Sequence, residues 1–232
     1  MSSTSAWKLR RLAPRAKRVQ ARRAGDAPVL AVFAQTLPVK ADAFIIAYDA
    51  AAKYVNAWRR EMKEGKGAVA KLVSDIRSWL PLLARDIPEF DPSSFADKPG
   101  VPDDVFEDGN RLLEIVAEST NAQGKPVDYA AAATTAITDS LAAANKEWSE
   151  AEAADSKYQE LLRNVRATGA VFDLELQTFR RSLSNVAGRN DKDFQKLRAE
   201  RASHNDDEDD PDAPAPPAPV TPAAKGNSSS GT

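Results

Sequence analysis

Between Val127 and Val186, apolar side chains recur in alternating steps of three and four. The series runs Val127, Ala130, Thr134, Ile137, Leu141, Ala144, Trp148, Ala151, Asp155 and Tyr158. It continues through Leu162, Val165, Gly169, Phe172, Leu176, Phe179, Leu183 and Val186, and only Thr134, Asp155 and Gly169 break it. A seven-residue repeat kept this long predicts a helix over about 127–187, packed along a left-handed supercoil. Such a helix reaches roughly 90 Å, longer than a compact domain needs.

A second seam follows Pro38: Ala41, Phe44, Tyr48, Ala51, Val55, Trp58 and Met62, ending at Gly65-Lys66-Gly67. A third holds Val69, Leu72, Ile76, Trp79 and Leu83, with Pro81 inside it as a kink or an early end. The spacing predicts helices over about 39–64 and 68–85, joined as an antiparallel hairpin by a glycine turn. Residues 88–102 carry Pro88, Pro92, Pro99, Gly100 and Pro102 and read as a surface connection. Pro102-Asp103-Asp104 then opens a helix over about 103–120, with Val105, Leu112, Leu113 and Val116 on its buried face. A short charged helix is predicted over about 190–202, and 29–33 is the one short strand candidate. The fold class is all-α: an elongated antiparallel helical bundle at 29–202 built around one very long coiled-coil-like helix.

Charge separates the two ends from this body. Residues 1–28 form a basic, partly disordered arm with Lys8, Arg10, Arg11, Arg15, Lys17, Arg18, Arg22 and Arg23, and no acid before Asp26. Beyond Ser203 come Asp206, Asp207, Glu208, Asp209, Asp210 and Asp212, then a Pro/Ala tract and a Gly/Ser end. That composition buries too little apolar surface to offset its ordering entropy, so 203–232 is read as a disordered tail. A tethered acidic tail competes for the basic arm at high effective concentration. The mainly apolar stretches read as far shorter than the roughly eighteen residues a membrane-spanning helix needs. The basic start lacks the apolar core of a secretory signal.

The inventory of reactive side chains is sparse. Cysteine is absent, which excludes disulfides and thiolate metal sites, and suits a reducing compartment such as the cytoplasm. The single histidine, His204, borders the acidic tail and has no second histidine to join it in a metal site. Neither a Gly-x-x-x-x-Gly-Lys-Ser/Thr loop nor a Gly-x-Gly-x-x-Gly turn occurs. No catalytic residue, metal, cofactor or small-molecule substrate is therefore expected. Asp155 in the seam reads as a wet stretch of interface or as a register-fixing group. Gly169 reads as a close helix approach, a local break or a hinge. Trp58, Trp79 and Trp148 fall on seams and read as core, whereas Trp7 does not.

Three short helices of roughly 38, 27 and 27 Å cannot individually cover a 90 Å seam. The stripe Tyr158, Leu162, Val165, Phe172, Leu176, Phe179 and Leu183 would then be left open for a partner. The expectation is a non-enzymatic scaffold or adaptor that self-associates through the long helix. The alternative is a protein that binds nucleic acid or an anionic membrane surface through the cations of 8–23.

Overall fold

A computed structural model of the chain describes residues 5–87, 90–95, 100–118, 120 and 124–198. Within them the chain forms helices and no strand. These are α1 (Ala6–Arg23), α2 (Pro28–Ala31), α3 (Phe33–Asp86), α4 (Pro102–Glu118), α5 (Ala130–Ala187) and α6 (Lys192–Leu197). A 3-10 turn at Pro92–Ser94 lies between α3 and α4. The all-α class holds, and the strand candidate at 29–33 is helical.

Two helices dominate. At 54 and 58 residues, α3 and α5 are each roughly 80–90 Å long. They run antiparallel, because partners on one climb in number as those on the other fall. Phe33 meets Phe179 edge-on at 5.3 Å, Phe44 stacks on Phe172 at 5.9 Å, and Trp58 stacks on Tyr158 at 4.6 Å. Further along, Trp79 stacks on Tyr129, the residue just before α5.

The predicted hairpin at Gly65-Lys66-Gly67 does not exist, since α3 passes through all three residues without interruption. The glycine serves proximity instead. A Cβ on Gly65 would lie 2.8 Å from the Ala151 Cβ and 3.1 Å from the Glu147 carbonyl oxygen. Gly169 plays the same part, where an added Cβ would lie 3.2 Å from the Phe44 ring, and α5 continues through it. Asp155, the polar member of the seam, is half-buried and accepts a hydrogen bond from the Trp58 indole Nε1 at 2.9 Å. The long helix stops at Gly188, whose φ of 86° suits glycine.

Each end of the α3–α5 pair carries its own core. At one end α4 closes over Leu72, Ile76 and Ile137, with Val105, Leu112 and Val116 inward. At the other end α1 adds Leu9, Leu12, Ala13, Ala16 and Val19 to Leu37, Phe44, Phe172 and Phe179. The predicted disordered arm is therefore an ordered, packed helix. Pro14 forfeits a backbone bond within it, but stays exposed while five apolar neighbours are buried. The helix predicted at 190–202 is the six-residue α6, and residues 199–202 lie outside the described residues, as does the tail 203–232.

Gly65 and Gly67 give opposite predictions. Gly67→Ala meets nothing within 4 Å and should stabilise the chain by roughly 0.5–1 kcal/mol through helix propensity. Gly65→Val should cost about 1–3 kcal/mol by overpacking against α5. Thermal and urea unfolding of the two variants checks this, and a destabilising Gly67→Ala would point back to a turn.

Candidate interaction surfaces

The stripe predicted to face a partner lies inside the chain. Tyr158, Phe172, Leu176, Phe179 and Leu183 are all at most 1% exposed, Val165 is 6% exposed, and Leu162 is half-buried. The cover comes from α3, which by running unbroken is long enough to match α5, and from α1 at one end. Self-association through these residues would require the chain's own helices to leave.

The basic arm is likewise committed in part. Arg10 grips Asp49 with two bonds, Nε at 2.9 Å and Nη2 at 3.0 Å, and Lys17 bonds Asp42, so both fasten α1 to α3. Arg22 and Arg23 close on α6. Arg22 reaches Asp193 at 2.6 Å, and Arg23 reaches Asp193 and Asp26 at 2.9 Å each, together with Asp191. Lys8 and Arg11 lie over the Trp7 ring at 5.3 and 5.6 Å. Arg15 and Arg18 flank a groove between α1 and α6. The eight cations do not form one free surface, because half of them are structural.

An apolar run also remains open. Val32, Val39 and Ile46 are 66–69% exposed, and they recur every seven residues on the outer face of α3 and the turn leading into it. Thr36, Ala43 and Ala50 interleave with them in steps of four and three, so this stretch carries a second seam beside its buried one. On α5, Val171 and Leu174 are 51% and 68% exposed. Glu175, next to Leu174, holds Lys40 and Thr36, and Lys40 is next to Val39. These bonds join the two open runs across the groove between α3 and α5. Interleaved seams also correct the expectation about apolar length. The helical stretch Pro28–Asp86 contains an 18-residue window of mean hydropathy 1.6, of which only 28% is buried.

Several carboxylates tie helices together. Among the described residues, no group of three or more acidic, histidine or cysteine side chains is placed to hold a metal ion. Asp75 accepts from Ser140 Oγ at 2.6 Å and from Lys71 at 2.6 Å, tying α3 to α5. Burial pushes the Asp75 and Glu175 carboxyls up, but their donors outweigh it and hold both below the usual range. Asp191 behaves alike: desolvation is overcome by the N–H groups of Phe194 and Asp193 and by Arg23. No family model, curated protein or solved structure matches the chain.

Depressed carboxyl values fix the sign of a pH effect. Stability from Asp75, Glu175 and Asp191 is present above the unfolded carboxyl values, near pH 4. It is lost as pH falls through the lower folded values. Melting temperature should therefore drop on acidification below about pH 4. Arg23→Gln should lower it at neutral pH, and that deficit should shrink as pH falls below the usual carboxylate range and Asp191 is neutralised. A deficit constant across this range would separate the clasp from carboxylate charge.

Proposed function

We propose that this protein is a non-enzymatic helical scaffold, an antiparallel bundle with a coiled-coil-like long helix, that assembles with a second copy of itself. The contact is the outer seam Val32, Val39 and Ile46 together with Val171 and Leu174 of α5. One observation carries this reading: a stretch as apolar as a membrane span is only 28% buried. An apolar surface of that kind, rimmed by charge, is typical of a docking face. Lys40 and Asp42 lie inside the stretch and are ion-paired to Glu175 and Lys17, which suits a protein partner better than lipid.

The seven-residue spacing of the exposed positions on α3 suits a helical partner. α1 covers one side of the α3–α5 pair at this end, so a second helix on the other side completes a four-element layer around the same core. A two-fold pairing lays each copy's α3 seam on the other's, an isologous contact that closes on itself. The heptad spacing of Val32, Val39 and Ile46 provides the knobs such a contact needs.

Light scattering at low micromolar concentration should give a mass near twice the 25.1 kDa of the chain. Ile46→Asp with Leu174→Asp should return a monomer with an unchanged melting temperature, because both side chains are exposed. Leu176→Asp should unfold the chain instead, since that position is 1% exposed. A wild-type protein that remains a monomer overturns the proposal.

A further inference from the structure

Gly188 turns the chain at the end of α5 and sends α6 back alongside it, creating a cleft of about 590 Å³. Arg180 and Arg181 come from α5, Arg189 from the turn, and Arg198 from just beyond α6. Asn185 and Asn190 add amide groups to the same wall, and among the described residues no carboxylate lines the cleft. Asp191, which caps α6, and Asp193 within it are engaged by Arg22 and Arg23 of α1. Four guanidinium groups thus surround one concavity, with no counter-charge among the described residues of its lining.

Arg180 is the most telling of them. Its Nε is shut off from solvent and has no hydrogen-bond partner. Burial pulls its pKa down, with Asp173 opposing, yet a guanidinium stays charged at any physiological pH. A desolvated cationic donor left unsatisfied is costly, and an anion in the cleft would offset that cost by pairing with the Arg180 guanidinium. Across α6 lies a second basic concavity of about 550 Å³, with Arg15, Arg18, Arg22 and Lys196 on its walls. Consecutive concavities on both sides of one short helix match a ligand that carries phosphates in series.

We propose that the α5–α6 cleft binds the phosphate backbone of single-stranded nucleic acid, with Arg180, Arg181, Arg189 and Arg198 as the phosphate contacts. Guanidinium forks suit phosphate oxygens, and a groove that tracks one backbone with an aromatic at hand is how single strands are held. Phe194, half-buried against the core, lines the cleft and brings an aromatic edge to it. A concave site favours a threaded strand over a membrane, whose headgroups present a plane. This site lies apart from the outer seam of α3, so the proposal stands independently of self-association.

The test uses the full chain and a fluorescently labelled 20-nucleotide single strand, read by anisotropy across a salt series. Arg181→Glu, Arg189→Glu and Arg198→Glu combined should weaken binding at least tenfold at low salt, with the salt dependence shallower by about one contact per arginine. All three positions are exposed, so the melting temperature should hold. Arg180→Met should also weaken binding without lowering the melting temperature, whereas an arginine with only a structural role would lower it. Lys8→Glu with Arg11→Glu, which changes cations beside Trp7, should bind as the wild type does. The proposal is overturned by no binding at low salt, by equal loss in the Lys8/Arg11 variant, or by unchanged binding in the triple variant. Tighter binding to phosphatidylserine vesicles than to the oligonucleotide would assign the cleft to lipid and overturn it equally.

Discussion

Everything else in this structure depends on the close approach of α3 and α5 at Gly65 and Ala151. A glycine in mid-helix costs roughly 1 kcal/mol against alanine, and here that cost is offset by contact with the opposing backbone. Because the Gly65 site is occupied by α5, the chain has no reason to turn there, and α3 runs its full 54 residues. Among the described residues, an unbroken α3 is in turn the only helix long enough to cover the seam of α5. The aromatic contacts Phe33–Phe179, Phe44–Phe172 and Trp58–Tyr158 then keep the pair in step from one end towards the other.

Charge is used to fasten rather than to advertise. Arg10 and Lys17 bind α1 to α3, while Arg22 and Arg23 draw α6 against α1 through Asp191 and Asp193. The consequence reaches the surface. With the acids of α6 turned towards α1, the opposite side of α6 is left to Arg180, Arg181, Arg189 and Arg198. The same end of the α3–α5 pair carries the open seam Val32, Val39 and Ile46. The open apolar seam and the cationic cleft thus draw on different residues, so the proposed assembly and the proposed anion binding would not compete for them.

The seven-residue period made α5 legible almost to its ends, and Pro102 with its two acids marked the start of α4 within a residue. The glycine signal was ambiguous, because a turn and a tight helix contact ask for the same missing side chain. Leu9, Leu12, Ala16 and Val19 recur at helical spacing, but the surrounding cations drew the reading towards a loose arm. The outer seam was also present as a period, hidden because Phe33, Leu37, Ala41 and Phe44 interleave with it and only one face was assigned to that stretch. Two features lay beyond any local pattern. The partner of Asp155 is Trp58, 97 residues earlier, and the arginine cleft exists only once Gly188 has folded α6 back onto α5.

The continuity of α3 through Gly65-Lys66-Gly67 is the claim on which this account turns, and a distance measurement reaches it directly. The chain has no cysteine, so Lys53→Cys with Ser78→Cys gives a doubly spin-labelled protein without background. Both positions are exposed. An unbroken helix separates them by about 38 Å along its axis, and pulsed electron paramagnetic resonance should give one narrow distribution near that value. A hairpin at the glycines would lay the two flanking helices side by side at about 8–10 Å between axes. A dominant distance below about 20 Å would therefore contradict the structure and the covered seam together.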